Sequence, residues 1–313
     1  MKRLTIVLVL LLLGWSTQTE AQTLTAATYN VRYDSRTDST KGNGWQQRSP
    51  YLCQLIRFHD FDIFGAQEVT HRQLLDMLDA LPGYAYIGVG RDDGKTGGEY
   101  SPVFYKKDRF KLLDSGTFWL SETPETPSKG WDAVLPRICS WGHFRDLESG
   151  RRFWFFNLHM DHRGVKAREE SAKLVLSVIR EKCGDEPVIL TGDFNVNQKS
   201  SVYRILAESN TVEDSYQKTE FRYAVTGTFN SFNPNSNTSS RIDHIFVTPD
   251  IRVERYGILT DSYRTQEKSS REVDATDFPK EVKLRQSVAR MPSDHFPVVT
   301  VLELTKASKN SKK

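Results

Sequence analysis

Cysteine is scarce: three in 313 residues, too few for a disulfide framework. Cys53, Cys139 and Cys183 lie far apart and none belongs to a C-x-x-C pair, so a zinc site built on thiolates is set aside. An odd count leaves at least one thiol free in an exported chain unless it pairs between chains. Cys53 and Cys139 sit in apolar stretches and read as small buried hydrophobes, with a single disulfide left open. Charge of one sign is also missing. Forty-three basic residues face 40 acidic ones, a formal net charge of +3. That balance neither demands nor rules out a nucleic-acid partner, and any phosphate-binding charge has to be local. No lysine-rich stripe stands out, no stretch repeats, and no strong linker divides the middle of the chain. Beyond its first residues the sequence has no segment apolar enough to span a membrane.

The start of the chain is different. Lys2 and Arg3 precede an apolar run from Leu4 to Leu13 that contains one threonine, and Thr19-Glu20-Ala21 supplies small residues after it. This is the pattern of a cleavable secretory signal over residues 1–21. The rival reading, a membrane anchor, needs about 20 apolar residues and the run is shorter. A mature chain from Gln22, secreted or periplasmic, is therefore expected, without stable membrane insertion and as a monomer. Residues 22–305 are expected to form the functional domain, followed by a basic, disordered tail over 306–313.

Strands and helices intermix from end to end. Strands are expected at Leu24–Tyr29, Ile63–Gln67, Tyr84–Val89, Val103–Tyr105, Lys111–Trp119, Val188–Leu190, Ile242–Val247, Arg252–Ile258 and Val298–Leu304. Arg137–Asp146 and Arg152–Leu158 form a hairpin turning at Glu148-Ser149-Gly150. Helices are expected at Pro50–His59, after a Thr70 N-cap, and at Lys166–Lys182, where Ala172, Val175, Leu176 and Ile179 share a face. Ser121–Gly130, Asn230–Ser240 and the charged stretch Thr265–Met291 read as loops, the last long enough to suggest a functional or mobile role.

Polar residues recur where these strands end. Asn30, Glu68 and His159 each follow a strand, as do Asp193 and Asn195. Asp243 lies within a strand, and Asp294 and His295 precede the last one. Singly each has a bland reading: Asn30 as a strand-end cap, Glu68 as the acid at a helix start, Asp243 and His295 as a structural pair. Together they suggest polar groups converging along one rim. The set is rich in oxygen donors and holds no serine or cysteine nucleophile, which suits a hard divalent cation such as Mg2+ or Mn2+.

Tyr29-Asn30-Val31-Arg32, Gln67-Glu68-Val69, Asn157-Leu158-His159, Gly192-Asp193-Phe194-Asn195, Arg241-Ile242-Asp243 and Ser293-Asp294-His295-Phe296-Pro297-Val298 resemble, in order, the signature of the endonuclease/exonuclease/phosphatase superfamily. Gly-Asp-Phe-Asn and Ser-Asp-His-x-Pro-Val are the most specific of the six. The resemblance covers essentially all of the mature chain. It implies an α/β (α+β) fold, a four-layer sandwich of two packed mixed sheets flanked by helices, with the site at one rim. It also implies a metal-dependent phosphoesterase. Glu68 would hold the metal, with Asn30 and Asp294 close by. Asp193 and Asn195 would surround the scissile phosphate, and His159 would donate to a non-bridging oxygen. Either Asp193 or His295, the latter paired with Asp243, would serve as the base.

Three further residues are weighed on weaker grounds. Glu99 lies where some members of the superfamily place a glutamate that orients the first histidine, and is otherwise a solvated loop acid. Arg137 resembles a phosphate-contacting arginine of some nucleases in that superfamily. Arg163, in the turn after His159, could reach a substrate phosphate as a bidentate donor. His59, His71, His143 and His244 match no motif and read as structural or surface residues. The substrate stays open between nucleic acid, a phospholipid head group and a small phosphorylated metabolite. The charged, aromatic-poor 265–291 stretch argues modestly against a lipid surface. A binding protein that has kept the fold without catalysis would have lost a metal ligand or a histidine, and none is lost.

Overall fold

Alternation in the first strand sets the architecture. Leu24 and Ala26 project to one side and Ala27 and Tyr29 to the other, and all four are buried. A strand covered on both faces belongs inside a layered sandwich. The computed structural model describes residues 23–223, 226–266, 279 and 281–304. The signal expected over 1–21 and the tail over 306–313 lie outside these residues, as does the centre of the 265–291 stretch.

In chain order the strands are β1 (Thr23–Asn30), β2 (Ile63–Gln67), β3 (Tyr84–Ile87), β4 (Val103–Lys106), β5 (Phe110–Trp119), β6 (Ile138–Asp146), β7 (Arg152–His159), β8 (Val188–Asp193), β9 (Glu213–Asp214), β10 (Arg222–Tyr223), β11 (Asp243–Val247), β12 (Ile251–Ile258), β13 (Tyr263–Thr265), β14 (Val288–Arg290) and β15 (Val298–Leu304). The helices are α1 (Arg36–Thr40), α2 (Trp45–Phe58), α3 (His71–Ala80), α4 (Val165–Cys183), α5 (Ser201–Ala207) and α6 (Ser215–Lys218). One seven-stranded sheet runs β10-β12-β15-β1-β2-β4-β3, and a six-stranded sheet runs β5-β6-β7-β8-β11-β9. Both are mixed: β1 is parallel to β2 and antiparallel to β15, and β7 is parallel to β8 and antiparallel to β6. The β13–β14 ribbon pairs the two ends of the long charged stretch.

Three apolar layers separate the elements. Leu24, Ala26 and Ile63 of the first sheet meet Phe153, Phe155, Ile189 and Ile245 of the second. Leu52 and Ile56 of α2 and Leu74 and Met77 of α3 cover the outer face of the first sheet over Ala27, Phe64 and Phe104. Ala172, Val175, Leu176 and Ile179 of α4, with Leu206 of α5, cover the second sheet over Phe156, Leu190 and Phe246. This is the four-layer α/β sandwich anticipated from the sequence. Among the described residues no helix is long and apolar enough to cross a membrane. All three cysteines are buried and free.

Helix α2 departs from expectation. It begins at Trp45 rather than Pro50, which sits inside it. The first turn is held by tertiary burial of Trp45 and Arg48, which overrides the usual preference of proline for a helix start. Thr70 caps α3 as the sequence indicates: its hydroxyl accepts from Gln73 N, and Gln73 Oε1 accepts from Thr70 N.

Along each central strand the inward face changes character toward one end. Ile63 gives way to Gly65 and Gln67, Phe153 and Phe155 to Asn157 and His159, and Ile189 to Thr191 and Asp193. The middle of this polar band is a buried hydrogen-bonded net. Gln67 Nε2 donates to Thr28 Oγ1 at 2.9 Å and, across the sheets, to Asn157 Oδ1 at 2.7 Å. Thr191 Oγ1 donates to Asn157 Oδ1 at 3.1 Å, and Asn157 Nδ2 donates to Ala66 O and Pro102 O. Gly65 leaves room for it: a Cβ there would stand 2.2 Å from Asn157 Oδ1. Gly65→Ala is expected to lower the unfolding free energy by about 1–3 kcal/mol, the usual cost of overpacking. A urea melt checks this, through a lower midpoint at unchanged slope. An unmoved midpoint would show that the net gives way freely.

Candidate active site at the rim of the two sheets

Strand register assembles the second sheet's contribution. His159 pairs with Asp193 across β7–β8, and Asp193 pairs with Asp243 across β8–β11, so three functional side chains stand side by side. The first sheet places Asn30 opposite Gln67, with Glu68 next in the chain. Asp294 and His295 arrive just before β15, whose Val298 pairs with Thr28. Residues drawn from both ends of the chain thus meet at one rim, around a cavity of about 540 Å³. Glu68, Glu99, Arg137, His159, Asp193, Asn195, Asp294 and His295 line it, all of them singled out from the sequence.

Asn30 is the joint between the sheets. Its Nδ2 donates to Glu68 Oε1 and to Asp193 Oδ2, both at 3.0 Å, and its Oδ1 accepts from Arg32 N. It is fully buried and is not among the residues that line the cavity, whereas Glu68 and Asp294, grouped with it from the sequence, are. It lies behind two carboxylates and aims them. Ser293 Oγ donates to Asn30 O at 2.6 Å, tying the Asp294–His295 segment to the same point. Glu68, Arg32 and Asn195 all hold left-handed backbone, with φ of 61°, 57° and 51°. For residues with a side chain such conformations cost on the order of 1 kcal/mol or more each and concentrate at functional sites.

Glu68, Asp193 and Asp294 bring three carboxylates to one cavity, and the nearest cation, Arg32, is 3.9 Å from Glu68 and 3.7 Å from Asp294. Arg32 gives its closest contact, 2.9 Å, to Asp38. Burial pushes Asp294 above the usual carboxylate range, with Glu68 adding to the effect. Excess buried negative charge on hard oxygen donors fits a divalent cation. Ligand atoms of Glu68, His159 and Asp193 lie within 4.8 Å of one another, as do those of Asp193, Asp243 and His295.

The two histidines stand in opposite environments. Burial, then Arg137 and Arg91, hold His159 well below the ordinary imidazole pKa. Its Nε2 lies 3.5 Å from Asp193. Burial also acts against a charged His295, but Asp243, Asp193 and Asp294 outweigh it and raise its pKa well above the ordinary value. His295 Nδ1 contacts Asp243 Oδ2 at 2.9 Å, which confirms the dyad read from the sequence. Asp243 is fully buried behind the ring, and its Oδ1 has no hydrogen-bond partner among the described residues. Its nearness favours the protonated form of the ring. Burial and then Asp243 push Asp193 above the usual carboxylate range. Its Oδ2 is 3.9 Å from His295 Nε2, and its Oδ1 accepts from Asn195 N at 2.9 Å.

Two expectations change. Glu99 does line the cavity, but its two oxygens are taken by Arg91 in a bidentate pair at 2.7 and 3.0 Å, so its partner is that guanidinium rather than His159. Arg163 is exposed and does not line the cavity. The turn that carries it is shaped by Asp161, whose Oδ1 accepts from Arg163 N and Gly164 N, and it is the neighbouring His162 that faces the site. Arg137 lines the cavity. Nε contacts Asp161 at 3.4 Å and Nη2 contacts His162 Nδ1 at 3.0 Å, while buried Nη1 has no partner among the described residues. His244 is enclosed, with Nε2 at 3.0 Å from Val196 O, and His143 stacks on Trp154, both structural as read from the sequence.

Arg48 has no sequence signal at all. It is fully buried with no ion-pair partner among the described residues, and donates to the carbonyls of Val31, Arg32, Asn43 and Pro292. It thereby clamps the segment after Asn30 to the segment before Asp294, which are separated by most of the chain.

Residues 27–295 match the model of the Endonuclease/Exonuclease/phosphatase family. The chain belongs to this family. The family name covers nucleases and phosphatases, all hydrolases of phosphate esters. A solved family member from Bacteroides thetaiotaomicron is 54% identical, with 90% of this chain and 97% of that one covered and a TM-score of 0.83. A mannosyl-6-phosphatase of Bacteroides thetaiotaomicron VPI-5482 is also 54% identical, with coverage of 89% and 99% and a TM-score of 0.82. An uncharacterised protein of Acanthamoeba polyphaga mimivirus is 29% identical over 163 residues, which are 50% of this chain and 60% of that protein. The chain thus spans less than two thirds of that relative.

Asp243→Asn keeps the shape of the dyad and removes the charge that orients His295 and raises its pKa. The expected result is a fall in kcat of about 100-fold or more on a phosphate ester, with KM little changed. Steady-state kinetics decide it. A variant that kept its rate and lost only affinity would leave Asp193 as the base.

Proposed function

We propose that this chain is a divalent-metal-dependent phosphatase that hydrolyses the monoester of a phosphorylated sugar, with Mg2+ or Mn2+ as its metal. The observation that carries the reading is 54% identity, over 89% of the chain, to a protein named a mannosyl-6-phosphatase. The site chemistry supports it. Glu68 and Asp294, with Asp193 beside them, would hold the cation, which supplies positive charge against the phosphoryl oxygens. His159 and Arg137, which line the cavity, donate to those oxygens as their charge grows. The attacking water gives its proton to the Asp193–His295 pair, whose positions are fixed by Asn30 and Asp243. Water adds to phosphorus, the ester P–O bond breaks, the sugar oxygen takes a proton from solvent water as it leaves, and the Asp193–His295 pair returns its proton to solvent. We also propose, from the basic and then apolar start of the sequence alone, that the protein is exported.

A substrate panel tests the reading, with mannose 6-phosphate, plasmid DNA, an oligonucleotide bearing a terminal phosphate, and sphingomyelin, each in the presence of Mg2+ or Mn2+. Release of inorganic phosphate from the sugar ester is expected, with plasmid left intact. Glu68→Ala should reduce that release by at least about 100-fold while the variant stays folded. Nicked plasmid and untouched sugar phosphate would turn the assignment to a nuclease.

A further inference from the structure

Phe229 is a large apolar side chain left 41% exposed in a cavity otherwise lined mainly by charged and polar groups. Its backbone is fixed from several sides. Phe229 pairs with His295 in an isolated antiparallel bridge. Phe296 N donates to Thr228 O at 2.7 Å, and Asn230 N and Ser231 N both donate to Asp294 O, at 2.8 and 3.1 Å. Thr228 Oγ1 accepts from Ile242 N and Asp243 N. Directly after it, Ser231 and Phe232 both take left-handed backbone, with φ of 54° and 58°, conformations that persist only where the surroundings enforce them. The ring meets His295 edge to face, with centroids 5.0 Å apart and planes at 72°.

A rigid, exposed aromatic beside groups that handle phosphate adds little to a core, yet it offers a flat apolar face to whatever enters. A pyranose has a matching face, where several C–H bonds point the same way and their weakly positive hydrogens suit the negative face of an aromatic ring. Leu135, 37% exposed, and Tyr33 line the same cavity. We propose that Phe229, with Leu135 and Tyr33, is the platform that receives the sugar ring of the substrate while its phosphate lies against His159 and Arg137. This assignment rests on the sugar-phosphatase reading above. It makes Phe229 a specificity-determining residue, which recognises the leaving group rather than the phosphoryl group.

The test compares mannose 6-phosphate with glycerol 1-phosphate, an acyclic ester that has hydroxyls but no ring face. kcat/KM for both is measured in the wild type and in Phe229→Ala, Phe229→Leu and Phe229→Trp, with melting temperatures to confirm the fold of each. The preference for the cyclic over the acyclic ester is expected to fall about tenfold in the alanine and leucine variants, mainly through KM for the sugar ester, and to persist in the tryptophan variant. A wild type without any preference for the sugar ester would overturn the sugar-phosphatase reading and the platform with it. A wild-type preference that survives undiminished in Phe229→Ala, including equal losses on both substrates, would overturn the platform alone.

Discussion

Asn30 Nδ2 holds Glu68 Oε1 of one sheet and Asp193 Oδ2 of the other, each at 3.0 Å, and the rest of the site is arranged around that shared amide. Two carboxylates brought this close, Asp193 buried and Glu68 partly so, repel one another, and removing them from water is costly unless each is hydrogen-bonded. The amide supplies one donor to each. Beneath it, the net centred on Asn157 keeps the sheets in one relative position, so the bridge does not have to fix their register by itself. The polar band is confined to one end of the sandwich, and the remaining inner faces pack Phe153, Phe155, Ile189 and Ile63. Stability and function are thereby separated along the same strands.

Excess acidity at that end gives the two histidines different work. His295 faces Asp243, Asp193 and Asp294, which overcome its burial and raise its pKa, whereas burial, then Arg137 and Arg91, lower that of His159. Environments that drive like groups apart in pKa are how one site provides both a proton carrier and a neutral donor. The bidentate Arg91–Glu99 pair bears on the second of these: burial and Arg137 do most to lower the pKa of His159, Arg91 adds to them, and Glu99 offsets part of the Arg91 charge.

Much of this was legible in the sequence, because strand periodicity and strand-end polarity are local properties. β2 falls where a short buried run places it, α4 to within a residue at each end, and Asn30, Glu68, His159, Asp193, Asp243 and His295 converge as their positions suggest. What stayed hidden depends on partners distant in the chain. Gln67 and Asn157 were visible as flanks of motifs, but their bond to each other appears only when the sheets stack. Arg48 looks like any polar residue near a helix start until four carbonyls surround it. Glu99 and Arg163 were misplaced for a related reason. The 91–99 loop folds back on itself, with Arg91 N donating to Glu99 O at 3.1 Å, so Glu99 meets Arg91 first. The 161–164 turn is closed by Asp161, which points His162 inward in place of Arg163.

Thermal unfolding of the wild type and of Asn30→Ala, each with and without saturating Mn2+, tests most directly whether that one amide assembles the site. A ligand that binds only the folded state raises its melting temperature according to its affinity. Mn2+ should raise the melting temperature of the wild type, and Asn30→Ala should remain folded while losing most of that rise, since Glu68 and Asp193 would no longer be held together. An equal rise in both proteins, or none in the wild type, would contradict the account.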